Sequence, residues 1–270
     1  MTAQELLERE LRLRGYQYNS IKTYVSCLNT ILSKLGENPS LDSIKDFLIT
    51  INSRNYHKQL TATLHHYFKL VLKKPVSLSD LPYPQKQYTL PDVLSQQEVN
   101  QIFSVCNNLK HKAIIALLYG CGLRISEVIN LKSYDIHSSR NLIKIVAAKG
   151  NRDRYVPLPG ELLELLRAYF KAYHPAAPYL FNGQDGAVQY SQRSIGEFIK
   201  HYAKKAGIHK RIHAHKFRHS YATHLVEQGT DISLIQKSLG HASQKTTLIY
   251  AQISQATISR IPSPLNQISI

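Results

Sequence analysis

Six side chains spread over the second half of the chain have the chemistry of a phosphoryl-transfer site. Five of them carry a positive charge or can acquire one, and the sixth is a phenol that can act as a nucleophile. In-line phosphoryl transfer depends mainly on positioning and on neutralising the non-bridging oxygens, which guanidinium groups do well. The pattern therefore indicates attack by a tyrosine oxygen on the phosphorus of a phosphodiester. The six residues are Arg124, Lys149, His215, Arg218, His241 and Tyr250.

Taken one at a time, these residues also have ordinary structural interpretations. Arg124 can cap a helix or pair with the nearby Glu127. His215 and Arg218 have the spacing of two residues on one helix face, so both can reach one phosphate. Tyr250 alone is most simply a core residue of an amphipathic helix, since the chain has 17 tyrosines. Only the complete set of six residues favours a catalytic role over these structural ones.

The density of histidines in the same region raises the alternative of a metal site. His215 and His219 have the spacing of two ligands on one helix face, and His213 and His224 lie nearby. However, the segment lacks the glutamate of an HExxH motif, and the cysteines are distant in the sequence. The sequence therefore favours packing or capping roles for His219 and His224, and no metal is expected.

The charge balance indicates a polyanionic partner. The chain has 34 basic and 18 acidic residues, which gives a net charge of +16. Lysine and arginine gain free energy by displacing condensed counterions from nucleic acid. A merely basic soluble protein and a membrane-surface protein are the alternatives. No apolar run approaches the roughly 18 residues that span a bilayer, and acids stand where a signal peptide has its apolar core.

The cysteines indicate an intracellular location. Cys27, Cys106 and Cys121 are an odd number without CxxC or CxxH spacing. This pattern argues against both a disulfide framework and a zinc site. We therefore expect reduced thiols in a cytoplasmic protein.

Helical periodicity dominates the first 74 residues. Apolar residues recur at helical spacing, Gly36 supplies a C-terminal stop for the longest run, and Pro75 ends the last one. Four helices are enough for a small bundle, so residues 1–74 are predicted to form a helical domain. The predicted helices cover residues 6–11, 20–36, 41–51 and 60–72.

Residues 75–91 are predicted to form a linker. Four prolines in this segment do not fit inside helices and leave few amides for a sheet. Residues 1–84 carry 11 basic and 7 acidic side chains, whereas the rest of the chain carries 23 and 11. The second domain, residues 92–270, therefore holds most of the positive charge.

The second domain is predicted to be mixed, so that the whole chain is mainly α with a small β-hairpin or sheet. A capping box formed by Ser95 and Glu98 begins a helix, and the apolar run 112–122 forms another that stops at glycines. Residues 141–158 predict a β-hairpin with Gly150 in its turn. Further helices are predicted at about 160–173, 191–206 and 214–228.

Together these segments resemble the tyrosine recombinase family, the phage-integrase-type site-specific recombinases. The resemblance rests on the runs LLYGCGLRISEVINL, AAKGNRDRYVPL and HAHKFRHSYATHLVEQGTDISLIQKSLGHASQKTTLIYAQIS. It is strong over residues 112–265 and weaker over the N-terminal bundle, which is similar to the family's helical, SAM-like core-binding domain. All six active-site positions have matching residues, and Glu127 matches the acidic position that supports the first arginine. Short Xer-type members and those encoded by transposons or phages are the most similar.

The resemblance implies a role for each residue. Tyr250 would attack the scissile phosphate, leaving a 3′-phosphotyrosyl bond and a free 5′-hydroxyl. A tyrosine is mostly protonated at neutral pH, so its attack needs a base or strong positive charge nearby. Arg124 and Arg218 would brace the non-bridging oxygens, and Lys149, on the hairpin, would protonate the departing 5′-oxygen as general acid.

The resemblance also implies what the enzyme needs and binds. His215 is the candidate for proton handling, and His241 would hydrogen-bond a phosphate oxygen. Cationic side chains replace a metal and the covalent bond stores the phosphodiester energy, so no metal, ATP or other cofactor is expected. The implied partners are double-stranded DNA with inverted-repeat core sites and a homotetramer, or a related recombinase, that holds two sites. The tail, about 252–270, is expected to dock on a neighbouring subunit rather than fray.

Three other activities share parts of this pattern. A topoisomerase-like enzyme would nick and close DNA without strand exchange, and an accessory DNA-binding protein would keep the fold with idle cleavage. A metal-dependent nuclease would need a divalent ion. The intact set of six residues favours the recombinase. The target sequence, and the choice between integration, excision, inversion and dimer resolution, are not encoded in the active-site pattern.

Overall fold

Residues 1–88 and 89–270 form two separate units in the computed structural model of the protein. The structure describes residues 1–77, 79–85, 92–148, 152–183, 188–240 and 247–250. Two of the predicted site residues, Lys149 and His241, lie outside the described residues. The same holds for the tail from residue 251 and for part of the predicted linker.

The described part of the first unit consists of four α-helices and one short π-helical segment. The four helices predicted from periodicity are confirmed, and the longest ends before Gly36, whose φ is 85°. The predicted helix over 60–72 differs in one respect, because its α-helical part ends at His66 and its last turn is π-helical. The elements are α1 (Ala3–Leu13), α2 (Tyr18–Leu35), α3 (Leu41–Ile49), α4 (Arg54–His66) and the π-helical segment Tyr67–Val71.

Apolar side chains of this unit pack into two clusters. One joins α1 and α2 to the π-helical segment, and the other joins α2, α3 and α4. Leu81, which lies in the predicted linker, is fully buried against the second cluster. A ring nitrogen of His65 lies 3.0 Å from the Leu81 carbonyl oxygen. The first part of the proline-rich segment thus packs on the helical unit.

The second unit combines helices with a small antiparallel sheet, whose strand order is β1-β2-β3. Both strands of the predicted hairpin are confirmed, and its turn, 149–151, lies outside the described residues. The predicted capping box and later helices are also confirmed, so the fold is mainly α with a small sheet. The elements are α5 (Gln96–Val105), α6 (Leu109–Gly120), α7 (Ile125–Asn130), β1 (Ile136–His137), β2 (Leu142–Ala148), β3 (Arg152–Pro157), α8 (Gly160–Tyr173), α9 (Gln192–Lys205), α10 (Ala214–Glu227) and α11 (Ile232–Leu239).

Helix α6 lies at the centre of the second unit, between α8 and α10. Its apolar residues occur all round the helix, which is the pattern of a buried helix. The chain then turns at Gly122, whose φ of +61° lies in the left-handed region. A Cβ atom at this position would lie 2.4 Å from the Tyr221 ring, so only glycine fits. This turn delivers Arg124 to the start of α7.

The three cysteines, Cys27, Cys106 and Cys121, are buried as free thiols. Burial raises the pKa of Cys121 to about 12, so this thiol stays protonated. In the part of the chain that the structure describes, no helix has the length and apolar character needed to cross a membrane.

Candidate active site

Arg124 and Glu127 form the first part of the site at the N-terminus of α7. The backbone N–H of Arg124 donates to Oε2 of Glu127 at 2.8 Å, and its Nη1 donates to Oε1 at 2.7 Å. Glu127 occupies the N3 position of the helix, where a carboxylate caps the N-terminus. One carboxylate therefore caps the helix and holds the arginine side chain. The two structural interpretations of Arg124 that the sequence offered, a place at the helix cap and a pair with Glu127, therefore occur together.

Arg154, with 9% of its side chain exposed, is a member of this cluster that was not predicted from the sequence. From β3, its Nη1 and Nη2 donate to the two carboxylate oxygens of Glu127, each at 2.8 Å. Its Nε donates to the carbonyl oxygen of Ser238 at 2.8 Å. The alternation of side chains along β3 could have predicted that Arg154 points inward, because Arg154 is on the same face as the buried Val156. The guanidinium thus joins β3, α7 and α11.

Arg218 is the most deeply buried arginine of the site, with 3% of its side chain exposed. Its Nη1 donates to the carbonyl oxygen of Gly122 and its Nη2 to that of Leu239, both at 2.6 Å. Its Nη1 lies 4.0 Å from Glu127 Oε2. Burial, followed by the charge of Arg124, lowers the pKa of Arg218 to about 10, so it remains cationic at neutral pH.

The cluster has a surplus of positive charge. Three guanidinium groups surround the single carboxylate of Glu127, a formal balance of +2. Burial alone would raise the pKa of Glu127, but the hydrogen bonds and charge of Arg154, together with the bonds from Arg124, lower it to about 2. The carboxylate is therefore ionised, and the remaining positive charge favours an anion with several acceptor oxygens.

Tyr250 lies beside this charge. Its side chain is 2% exposed and packs with Ala222, Ile235 and Leu239. Burial raises the pKa of the Tyr250 phenol, and the charges of Arg218 and Arg124 oppose that shift. Tyr250 is thus a core residue, as its helical surroundings suggested, whose hydroxyl is also within electrostatic reach of two site arginines.

Two histidines of α10 stand one helical turn apart in the site, with ring centroids 6.3 Å apart. Burial, and then the charge of Arg218, lowers the pKa of His215, so its ring is neutral at neutral pH. Nδ1 of His219 lies 3.0 Å from the hydroxyl oxygen of Tyr250. The prediction that His219 is only a packing or capping residue misses this contact. His224, by contrast, is buried and bonded to the Tyr119 hydroxyl, as a packing residue would be.

The fold therefore brings together four of the six predicted residues, Arg124, His215, Arg218 and Tyr250, with the supporting Glu127. Among the described residues there is no group of three or more histidine, cysteine, aspartate or glutamate side chains suited to holding a metal ion. On this helical scaffold with a small sheet, guanidinium groups lie beside a tyrosine hydroxyl and form a positively charged cluster that suits a phosphate-type anion.

Comparison with known proteins identifies the family. The phage integrase family matches residues 92–257. The tyrosine recombinase XerA of Pyrococcus horikoshii is 34% identical over 253 residues, which cover 90% of this chain and 86% of the relative. The chain belongs to the phage integrase family and is a tyrosine-type site-specific recombinase. The resemblance on which the sequence analysis relied is confirmed.

Solved structures have the same fold. The XerH site-specific recombinase, bound to a palindromic difH substrate in a post-cleavage complex, matches with a TM-score of 0.75 and 21% identity, over 96% of this chain and 83% of that chain. The Tn1549 transposon integrase, in complex with circular intermediate DNA, matches with a TM-score of 0.74 and 22% identity, over 96% and 98%. At this level of identity the likeness extends to the fold.

Proposed function

We propose that this recombinase cleaves and rejoins double-stranded DNA through a 3′-phosphotyrosyl intermediate, with Tyr250 as the nucleophile. The observation that carries the proposal is the position of the Tyr250 hydroxyl beside a buried cluster with an excess of positive charge. A phosphodiester brings one negative charge and its transition state more, which suits that surplus. Arg124 and Arg218 brace the non-bridging oxygens.

Glu127 and Arg154 hold the arginines of the site in position. Glu127 orients Arg124, and Arg154 holds Glu127 through two hydrogen bonds. A donor that is held in place before the reaction stabilises developing charge without reorganising during it. This pair therefore belongs to the proposed machinery as positioning residues.

The remaining roles follow the family resemblance. Lys149 acts as the general acid for the 5′-oxygen, and His241 hydrogen-bonds a phosphate oxygen. His215 is a further group for proton handling. The covalent bond retains the energy of the phosphodiester, so rejoining by the 5′-hydroxyl needs no ATP and no metal.

The partners are proposed on the same basis. The net charge of +16 favours a polyanion, and solved structures of the same fold contain a difH substrate and circular intermediate DNA. We propose a tetramer on two inverted-repeat core sites, with the tail, about 252–270, docked on a neighbouring subunit, and a cytoplasmic location. The domain assignment, 1–74 for core binding and 92–270 for catalysis, is part of this proposal.

The test is recovery of covalent protein–DNA adducts. Wild type and Tyr250→Phe are expressed in cells and denatured, and any DNA attached to the protein is sequenced. Tyr119→Phe is the matched control, because it also removes a hydrogen-bonded phenol hydroxyl, from a half-buried tyrosine that contacts α10 through His224. We expect adducts at one inverted-repeat sequence from wild type and Tyr119→Phe, and none from Tyr250→Phe. A nicked substrate that releases the 5′ product extends the lifetime of the adduct.

Each other outcome excludes part of the proposal. Adducts from Tyr250→Phe would assign the nucleophile to another residue. The absence of adducts from wild type on nicked substrates would favour an accessory DNA-binding protein. Cleavage and closure of one site without any requirement for a second would favour a topoisomerase-like activity.

A further inference from the structure

His219 contacts the reacting atom of the proposed mechanism, yet that mechanism gives it no role. Its Nδ1 lies 3.0 Å from Tyr250 Oη, within hydrogen-bond distance, and the two rings are 5.7 Å apart. His215 lies one turn earlier on the same helix, with its ring centroid 6.3 Å from that of His219. A general base must lie within hydrogen-bond reach of the proton that it removes. His219 meets this condition directly.

The surroundings of His219 keep its ring neutral before DNA binds. Burial is the main cause, and the charges of His215, Arg218, His213 and Lys216 act in the same direction, so its pKa falls to about 4. Among the described residues outside α10, the Tyr250 phenol lies against the His219 ring, and burial raises the pKa of this phenol. At neutral pH a neutral imidazole therefore faces a protonated phenol.

We infer that His219 is the residue that holds the Tyr250 phenol and accepts its proton as the oxygen attacks phosphorus. This inference rests on the proposed function, which it deepens. In the step, the Oη–H bond breaks, the proton moves to Nδ1, and the Oη–phosphorus bond forms. The phosphorus–O5′ bond breaks with its electron pair on O5′, which takes a proton from Lys149. On rejoining, both protons return.

Substrate binding makes His219 a stronger base. In the empty site the neighbouring cations oppose formation of an imidazolium. A bound phosphodiester adds negative charge beside the ring and pairs with Arg124 and Arg218, so the cost of a cationic His219 falls. The phenol therefore loses its proton only when a phosphodiester is in place to be attacked.

The experiment measures single-turnover cleavage of a nicked substrate by His219→Ala and His219→Asn, with and without imidazole. Removal of a general base typically slows a reaction by about 10²- to 10⁴-fold. We expect imidazole to restore part of the rate of His219→Ala, whose vacated space admits the small base. It should not restore His219→Asn, in which an amide fills the position near Nδ1 without accepting a proton.

His224→Asn is the matched control. It removes a histidine–tyrosine hydrogen bond of similar length on the same helix, from Nδ1 to the Tyr119 hydroxyl at 2.8 Å. We expect it to keep the wild-type cleavage rate. Melting temperature and DNA affinity are measured for every variant, so that lost cleavage is separated from lost folding or binding.

Two further readouts separate a base from a structural residue. A sulfur at the bridging 5′ position leaves without protonation, so it should rescue Lys149→Ala and leave the His219 variants slow. The rate of His219→Asn should rise about tenfold per pH unit below the phenol pKa, as the phenolate fraction grows. If His219→Ala does not fold, this pH profile of His219→Asn shows whether His219 acts as a base.

The outcomes either support or overturn the inference. Wild-type rates and a wild-type pH profile for His219→Asn would overturn it, and so would imidazole rescue of His215→Ala without rescue of His219→Ala. Adduct formation by wild type with an unaffected His219→Asn would remove only this inference. The absence of wild-type adducts would instead remove the proposed function.

Discussion

At the scale of single residues, guanidinium geometry explains why arginines hold this site. Arg218 donates from two different nitrogens to carbonyl oxygens of Gly122 and Leu239. Arg154 grips both oxygens of one carboxylate. The planar guanidinium of arginine has five N–H donors and can bond two separate acceptors at once, whereas the ammonium of lysine is a compact point charge. The type of cation, and not only its charge, therefore matters here.

Replacement of Arg124 by lysine tests this argument. Arg124→Lys keeps the positive charge but loses the paired N–H donors of the guanidinium, so the variant should bind DNA normally and cleave it more slowly. Loss of one preorganised donor costs about 10²- to 10³-fold in rate. Single-turnover cleavage checks the expectation, with Arg167→Lys in an exposed ion pair as the control that keeps full activity. Wild-type cleavage by Arg124→Lys would show that charge alone suffices.

At the scale of elements, two arginines bind the C-terminal end of α11. Nε of Arg154 donates to the Ser238 carbonyl oxygen, and Nη2 of Arg218 donates to the Leu239 carbonyl oxygen. The last carbonyls of a helix lack partners within the helix and carry partial negative charge. Gly240 follows with a φ of +63°, and the Arg154 side chain passes close to it. The end of α11 is thereby tied to β3 and α10.

Arg154→Ala is expected to loosen this junction. It removes two of the guanidinium bonds to the buried Glu127 and leaves the Ser238 carbonyl without its side-chain donor. Breaking a buried ion pair from one side costs about 3 kcal/mol of unfolding free energy, and cleavage should slow as Glu127 loses its orientation. Urea unfolding and single-turnover cleavage measure the two effects.

Two further variants help to interpret Arg154→Ala. One is a control in the neighbouring strand β2, and the other changes the carboxylate that Arg154 binds. Lys144→Ala removes an exposed pair with Asp153, so its effect on stability should stay below about 1 kcal/mol. Glu127→Gln and Arg154→Ala share one interaction, so their effects in the double variant should be less than additive. Strict additivity would contradict the proposed dependence of the two residues on each other.

At the scale of the whole molecule, burial holds histidines of both units in the neutral form. Burial is the first cause of the lowered pKa at each of four buried or half-buried positions, and nearby cations add to it at most of them. An unfolded chain has no such constraint, so its histidines take up protons near pH 6.5. The positions are His66, His111, His219 and His224.

Stability should therefore fall on mild acidification. Because the folded pKa values are lowered, the unfolded state binds more protons below about pH 6.5, and folding loses free energy as the pH decreases. The effect is absent above the unfolded pKa, so stability should be level from pH 7.5 to 8. Thermal unfolding at pH 8, 7.5, 6.5 and 5.5 measures it. An unchanged midpoint down to pH 5.5 would show that the native histidines titrate normally.

Local patterns were enough to predict most of the scaffold. The periodic apolar run of α2, the capping box that begins α5 and the hairpin of β2 and β3 express preferences that act over a few residues. The helix α11, with eight residues, and the strand β1, with two, were not predicted. Such short elements have too few positions to display a period, and packing determines them.

The sequence by itself determined the family and the set of reactive residue types, because both depend on residue identity and order. Only the tertiary structure decided that Arg154 supports Glu127 and that His219 faces Tyr250. Their partners are separated by 27 and 31 residues, a distance over which no local period carries information. Each side chain meets its partner only because α7, β3, α10 and the end of the described chain pack together.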